Sequence, residues 1–169
     1  MLLVGGASTR YGSPKALADV DGETLAARAW RLLGEVCDEC IAVGKRADAL
    51  PLPFDVLDDG TEVRAPIAGV VAGLRAATHE VAVIIPVDVP RLTPAALLAL
   101  ADACRDAAVP ARGPLPGAYR RSALPHLERA LAAGRLALRD AIAELDVATV
   151  ELDDAILLNV NTPDDVRRL

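Results

Sequence analysis

The chain has 169 residues, long enough for one compact domain and too short for two ordinary ones, and its 53% hydrophobic content can supply a core without disulfides or structural metal. Aromatic residues make up only 2% (Trp30, Tyr11, Tyr119 and Phe54), which removes the stacking platforms that single-stranded nucleic acid binding depends on. With 18 Lys and Arg against 24 Asp and Glu, the net charge of −6 repels nucleic acid and anionic lipid at long range, so a phosphate ligand must be met by local cations.

Apolar stretches such as Val81–Ile85 end within a few residues at Pro or Asp, far short of the roughly 18 residues of a membrane span. Met1-Leu2-Leu3-Val4-Gly5 lacks the charged and long apolar regions of a signal peptide, and a cytoplasmic location is expected.

Leu2 to Val4 is a short apolar run ending at Gly5-Gly6, the pattern of a buried strand feeding a glycine-rich loop. From Thr24, Leu25, Ala29, Leu32, Leu33 and Val36 fall on one face of a helix broken near Gly34. Cys40–Val43 and Phe54–Leu57 read as short strands, the latter running into the turn residues Asp58-Asp59-Gly60. Pro66 suits a first helical position, and Ile67, Val70, Val71 and Leu74 predict an amphipathic helix to about Ala77. Val81–Ile85 is a continuous, largely β-branched run, as in a strand covered on both faces. Thr93-Pro94 predicts a capped helix with Leu97, Leu100, Ala101 and Cys104 on its stripe. Val109–Tyr119, with its prolines and glycines, reads largely as loop, with a short strand at Gly117–Tyr119. Helices are expected around Ala123–Ala133 and Leu136–Leu145, a strand over Val147–Leu152, and a last helix capped at Thr162. Strands alternating with helices predict a single domain over 1–169, an α/β, Rossmann-like three-layer sandwich with a mostly parallel sheet. In such sheets ligands sit at the carboxyl ends of the strands.

Cys37-Asp38-Glu39-Cys40 forms a C-x-x-C, but it follows a helical run rather than opening one and carries acids that raise thiol pKa values, so a redox role is not expected. Cys104, His79 and His126 are too irregularly spaced to complete a zinc site.

Two segments carry chemistry. Gly5-Gly6-Ala7-Ser8-Thr9-Arg10-Tyr11-Gly12-Ser13-Pro14-Lys15 has the small residues of a phosphate-cradling loop, with Arg10 and Lys15 as its cations. Its glycine spacing matches neither the dinucleotide fingerprint nor a Walker A loop, and the plainer alternative is a surface loop with two solvated charges. Pro86-Val87-Asp88-Val89-Pro90 ends a buried strand in a carboxylate between prolines, suited to one Mg²⁺ ligand or, alternatively, to capping the next turn.

These segments, with Asp59, Pro66-Ile67-Ala68-Gly69 and Asn159-Val160-Asn161-Thr162-Pro163-Asp164, closely resemble the molybdenum cofactor guanylyltransferase family within the nucleotidyltransferase superfamily. Pro114-Leu115-Pro116-Gly117-Ala118-Tyr119-Arg120 is similar to the same branch. The resemblance spans nearly the whole chain. It implies a nucleotide-diphospho-sugar transferase type of fold and a transfer of GMP from GTP to the terminal phosphate of molybdenum-carrying molybdopterin, releasing pyrophosphate. It further implies nucleotide contacts at Leu3, Val4, Gly5, Gly6, Lys15, Asp59 and Asp88, catalytic roles for Arg10, Lys15 and Asp88, Mg²⁺ at Asp88, and acceptor contacts at Asn159 and Asn161. Asn159 and Asn161 suit capping of the last helix equally well. Molybdenum-insertion enzymes and molybdoenzyme chaperones are the protein partners it suggests. CTP on the same cofactor, another NTP on a sugar or alcohol phosphate, and a non-catalytic nucleotide- or cofactor-binding scaffold are the competing readings.

Some positions depart from the family pattern. Val43 stands where the family places a nucleotide-contacting asparagine on the loop after the second strand, so Val43→Asn is expected to tighten GTP binding. Ala65-Pro66 replaces a Gly-Pro, Tyr11 replaces a loop methionine, and the first strand is short.

Overall fold

The computed structural model describes residues 1–5 and 14–167. The first strand, β1 (Leu2–Leu3), is followed by a short 3₁₀ turn over Lys15–Leu17 and by a hairpin of β2 (Asp19–Val20) and β3 (Glu23–Thr24). The hairpin turns on Asp21 and Gly22, both at positive φ (55° and 82°), the conformation that an Asp-Gly pair adopts in a tight two-residue turn. The hairpin is absent from the expected elements, although Asp21-Gly22 is its local signal. Helix α1 (Leu25–Gly34) starts where the Thr24 hydroxyl accepts a hydrogen bond from the Ala27 amide, and it buries Leu25, Ala26 and Leu33.

The chain continues through β4 (Ala42–Gly44), β5 (Val56–Asp58), α2 (Pro66–Ala76), β6 (Val81–Pro86), α3 (Pro94–Ala103), β7 (Ala107–Pro110), β8 (Gly117–Arg120), α4 (Leu124–Ala132), α5 (Leu138–Ile142), β9 (Val147–Val150) and the single turn α6 (Pro163–Val166). Seven strands form one sheet in the order β5-β4-β1-β6-β8-β7-β9. β8 runs antiparallel to both its neighbours and every other pairing is parallel, so the expected mostly parallel sheet is present. The expected loop over Val109–Tyr119 is confined to its middle. Val109 and Pro110 complete β7, because pairing to β9 puts Val109 opposite Thr149 and Pro110 opposite Val150.

Side chains alternate across the strands and split the core into two layers. Leu3, Val43 and Ile84 pack with α2, α4 and α5, whereas Leu2, Val4, Ala42 and Ile85 pack with α1 and α3. Helix α2 departs from the expected one-sided pattern: Ile67 through Leu74 are all buried. The reason is tertiary, since α4 covers the face of α2 that the sheet does not, with Arg75 and Glu128 pairing at 2.7 Å along its rim. Gly69 lets α2 approach β1 closely, because a Cβ there would lie 2.9 Å from Leu3 Cδ2.

Successive parallel strands lead outward from β1 to β4 and β5, and the chain then crosses back to place β6 on the other side of β1. The order therefore reverses at β1, and the carboxyl ends of β4, β1 and β6 diverge around a gap. Among the described residues no helix is long and apolar enough to cross a membrane.

Candidate active site

A cleft of about 690 Å³ opens at this point of reversal, and Leu3, Val4, Gly5, Lys15, Asp59 and Asp88 all line it. Gly6 and Arg10, expected alongside them, lie outside the described residues. Leu3 and Val43 belong to its apolar floor, and Ala65, Pro66 and Gly69 bring the first turn of α2 to its wall. Ala65 precedes that turn and supplies no side-chain cap, so the positive end of an 11-residue helix faces the cleft without a competing side-chain oxygen from the cap position.

Two lysine–aspartate pairs mark the cleft. Lys15 heads the 3₁₀ turn, which is closed by the Leu17 amide donating to the Pro14 carbonyl at 3.0 Å and anchored by buried Ala16. Its Nζ donates to Asp88 Oδ2 at 3.3 Å and to Asn161 Oδ1 at 2.8 Å. Asp88 follows the end of β6, and its carbonyl accepts from the Val160 amide at 2.8 Å, which pins the C-terminal segment beside it. Both side chains of this pair retain about a fifth of their exposure, 19% for Lys15 and 23% for Asp88.

The second pair is Lys45 and Asp59. Lys45 directly follows β4, and its Nζ donates to Asp59 Oδ1 at 2.6 Å and to the Thr61 carbonyl at 2.5 Å. Asp59 Oδ1 also accepts from the Thr61 amide at 3.1 Å, while the Asp59 amide donates to the Gly44 carbonyl at 3.1 Å. Adjacent Asp58 accepts from the Arg46 and Gly60 amides, each at 2.7 Å, and those backbone donors hold its carboxyl below the usual carboxylate range. The acidic turn is thus wrapped around one ammonium, with the pair nearly buried at 11% and 7% exposure. Lys45 was missed from the sequence. Its available signal was a cation immediately after a strand end in an acidic chain.

Val43 requires a correction. It lies inside β4 rather than on the loop after it, in register with Leu3 on one side and Leu57 on the other, and is 1% exposed. An asparagine there would bury an amide in the apolar floor, so the expected gain in GTP affinity is withdrawn. Both asparagines are exposed and neither lines the cleft; Asn161 is tied to it by accepting from Lys15 Nζ, and Asn159 has no such link to a cleft residue among the described hydrogen bonds. The C-x-x-C cysteines are free thiols, and burial pushes the Cys37 thiol up, away from reactivity at neutral pH.

For a divalent cation, the donor at hand is Asp88, a partly exposed carboxylate at a strand end facing the cleft. Among the described residues no three His, Cys, Asp or Glu side chains gather into a cage. One carboxylate suits Mg²⁺, which takes one or two protein ligands and fills its shell with phosphate oxygens and water.

A mostly parallel α/β sheet whose reversal point holds a lysine, an aspartate and a helix N-terminus makes a site suited to a phosphate-bearing ligand, and the fold is that of the nucleotide-diphospho-sugar transferase type of nucleotidyltransferase, as its solved structural neighbours show. Residues 1–150 match the MobA-like NTP transferase domain, and the chain belongs to that family. It is 35% identical over 185 residues to the molybdenum cofactor guanylyltransferase of Burkholderia ambifaria, covering 96% of this chain and 90% of that protein. It is 33% identical over 177 residues to that of Pseudomonas putida, covering 97% and 93% respectively. The crystal structure of molybdopterin-guanine dinucleotide biosynthesis protein A from Archaeoglobus fulgidus superimposes with a TM-score of 0.79 at 26% identity, over 99% of this chain and 94% of that one.

Proposed function

We propose that the protein transfers GMP from GTP to the terminal phosphate of molybdenum-carrying molybdopterin, releasing pyrophosphate, with Mg²⁺ bound at Asp88. The observation that carries this reading is the meeting of Lys15 and Asp88 at 3.3 Å in the cleft of a chain belonging to the MobA-like family. An acceptor phosphate oxygen forms a bond to the α-phosphorus of GTP as the bond from that phosphorus to the bridging oxygen of the β-phosphate breaks, and pyrophosphate leaves with that electron pair. A phosphate monoester is largely dianionic at neutral pH, its second pKa being about 6, so its oxygen attacks without a protein base. This agrees with a cleft lined by neither histidine nor cysteine among the described residues.

What remains for the protein is alignment and neutralisation of charge. Lys15 presents a point charge to the phosphate oxygens, and the N-terminus of α2 adds the field of its aligned amides. Asp88 would hold the Mg²⁺, which when bound supplies Lewis-acid charge stabilisation to the phosphoryl oxygens. At the other end of the cleft, Lys45 holds Asp59 through Oδ1, which orients the carboxylate that the nucleotide meets.

The test is a cell-free reaction of the protein with Mg²⁺, molybdenum-carrying molybdopterin and either GTP or CTP, scored by pyrophosphate release and product mass. The expected product carries GMP. Preferential turnover of CTP would reassign the base, and nucleotide binding without turnover on the correct acceptor would replace the enzyme with a binding scaffold.

A further inference from the structure

We infer that Asn161 is a positioning residue for Lys15, holding the ammonium ready for the nucleotide phosphates, rather than a residue spent on the acceptor alone. The inference rests on the cleft's binding a polyphosphate. Lysine is a point charge on a flexible four-carbon stem, so an unrestrained Nζ in an acidic protein is drawn toward the nearest carboxylate. Here that carboxylate is Asp88, and full collapse of the ion pair would withdraw the cation from the ligand and the aspartate from the metal. The Asn161 carbonyl oxygen, at 2.8 Å, is closer to Nζ than Asp88 Oδ2 at 3.3 Å, so among the described contacts a neutral acceptor competes with the charged one for the ammonium.

The asparagine is itself held on both sides. Before it, buried Val160 packs with Ala18, Val20 and Leu25, and its amide donates to the Asp88 carbonyl at 2.8 Å. After it, the Asn161 and Thr162 amides both donate to Asp165 Oδ2, at 2.9 and 2.8 Å. The Asp165 amide in turn donates to the Thr162 carbonyl at 3.1 Å. This closes a tight turn that fixes where the Asn161 side chain leaves the backbone. The hairpin β2–β3 and the residues after β6 thereby bring position 161 to Lys15 across 146 residues of sequence. A side chain that only capped the last turn would have no reason to aim its oxygen at the cleft cation.

The experiment is a double-mutant cycle on Lys15 and Asn161, read by calorimetric titration of Mg²⁺–tripolyphosphate, which has the phosphates of the nucleotide but neither base nor acceptor. Asn161→Ala is expected to weaken binding roughly 2- to 13-fold, the worth of one net hydrogen bond. In the Lys15→Ala background the same substitution should change nothing, because there is no ammonium left to hold. In turnover assays with GTP and acceptor, Asn161→Ala should raise KM for GTP and leave KM for the acceptor unchanged. Equal losses in both backgrounds, an effect on acceptor KM alone, or no binding of tripolyphosphate by the unmutated protein would each overturn the assignment. Loss of a preference for GTP over CTP would instead overturn the guanylyl-transfer reading while leaving this cycle intact.

Discussion

The two ends of the cleft carry the same chemical pair in opposite settings. Lys45 and Asp59 sit at 2.6 Å and almost out of solvent, tied to the Thr61 backbone, whereas Lys15 and Asp88 sit at 3.3 Å, each about one-fifth exposed, with Asn161 taking part of the ammonium. A buried, doubly tied pair is costly to break, because removing one partner strands the other charge in a poor dielectric, and it holds its groups in one place. A looser, partly solvated pair exchanges its partners readily for a substrate phosphate or a metal. The first therefore shapes the cleft and the second acts in it.

The largest effect expected is at the acting pair. Asp88→Asn should lower guanylyl transfer by several kcal/mol of transition-state stabilisation, about 10²- to 10³-fold, and leave the melting temperature near that of the parent. Pyrophosphate-release kinetics beside a thermal melt would show this; near-normal turnover at saturating Mg²⁺ would make Asp88 a structural residue.

The shaping pair should respond the other way. Lys45→Met leaves the Asp59 carboxylate buried without its counter-charge, which costs about 3–5 kcal/mol. For a chain of this size that lowers Tm by roughly 6–20 °C. Should the melt be unmoved while GTP affinity collapses, the distinction between the two pairs fails.

Between them lies Val43 on the cleft floor. Val43→Asn places an amide where the neighbours are Leu3, Leu57 and α2, and an unpaired buried amide costs about 1–3 kcal/mol. Denaturant titration without nucleotide should record that loss. An unchanged midpoint would mean that the amide finds water in the cleft.

The smallest effect concerns Asp58, next to the shaping pair. Its folded pKa lies below the ordinary 3.8 because the Arg46 and Gly60 amides donate to it. A depressed carboxyl stabilises the fold above its unfolded pKa, and that contribution disappears as the pH falls from 3.8 through the lower folded value. Asp58→Ala should therefore melt slightly below the parent at neutral pH, with the gap closing in acid. A gap that widens below pH 3.8 would reverse the sign.

Much of the frame was legible from residue order because its signals are local. The Thr93 hydroxyl accepts from the Ala96 amide in the position its Thr-Pro pair predicted, and Val81–Pro86 forms the covered strand expected of a β-branched run. The expectation of strand ends around a ligand cleft came from the alternation of elements, and the placement of Lys15 and Asp88 from motifs. The hairpin at Asp21-Gly22 was equally local and simply passed over.

Other features were beyond any local signal. Helix α2 reads as amphipathic until α4 covers its second face, Val43 ends its expected strand where the resemblance places a nucleotide-contacting loop residue until pairing with Leu3 and Leu57 sets it inside β4, and Lys45 has no visible partner until β5 returns beside β4. By itself the sequence determined which segments become strands and helices and which residue types stand at their ends, because caps, turns and periodicity depend on neighbours within a few positions. Only the tertiary structure decided which charges meet: Lys15 finds Asp88 across 73 residues and Asn161 across 146, and contacts at such range are set by strand order and packing rather than by any spacing along the chain.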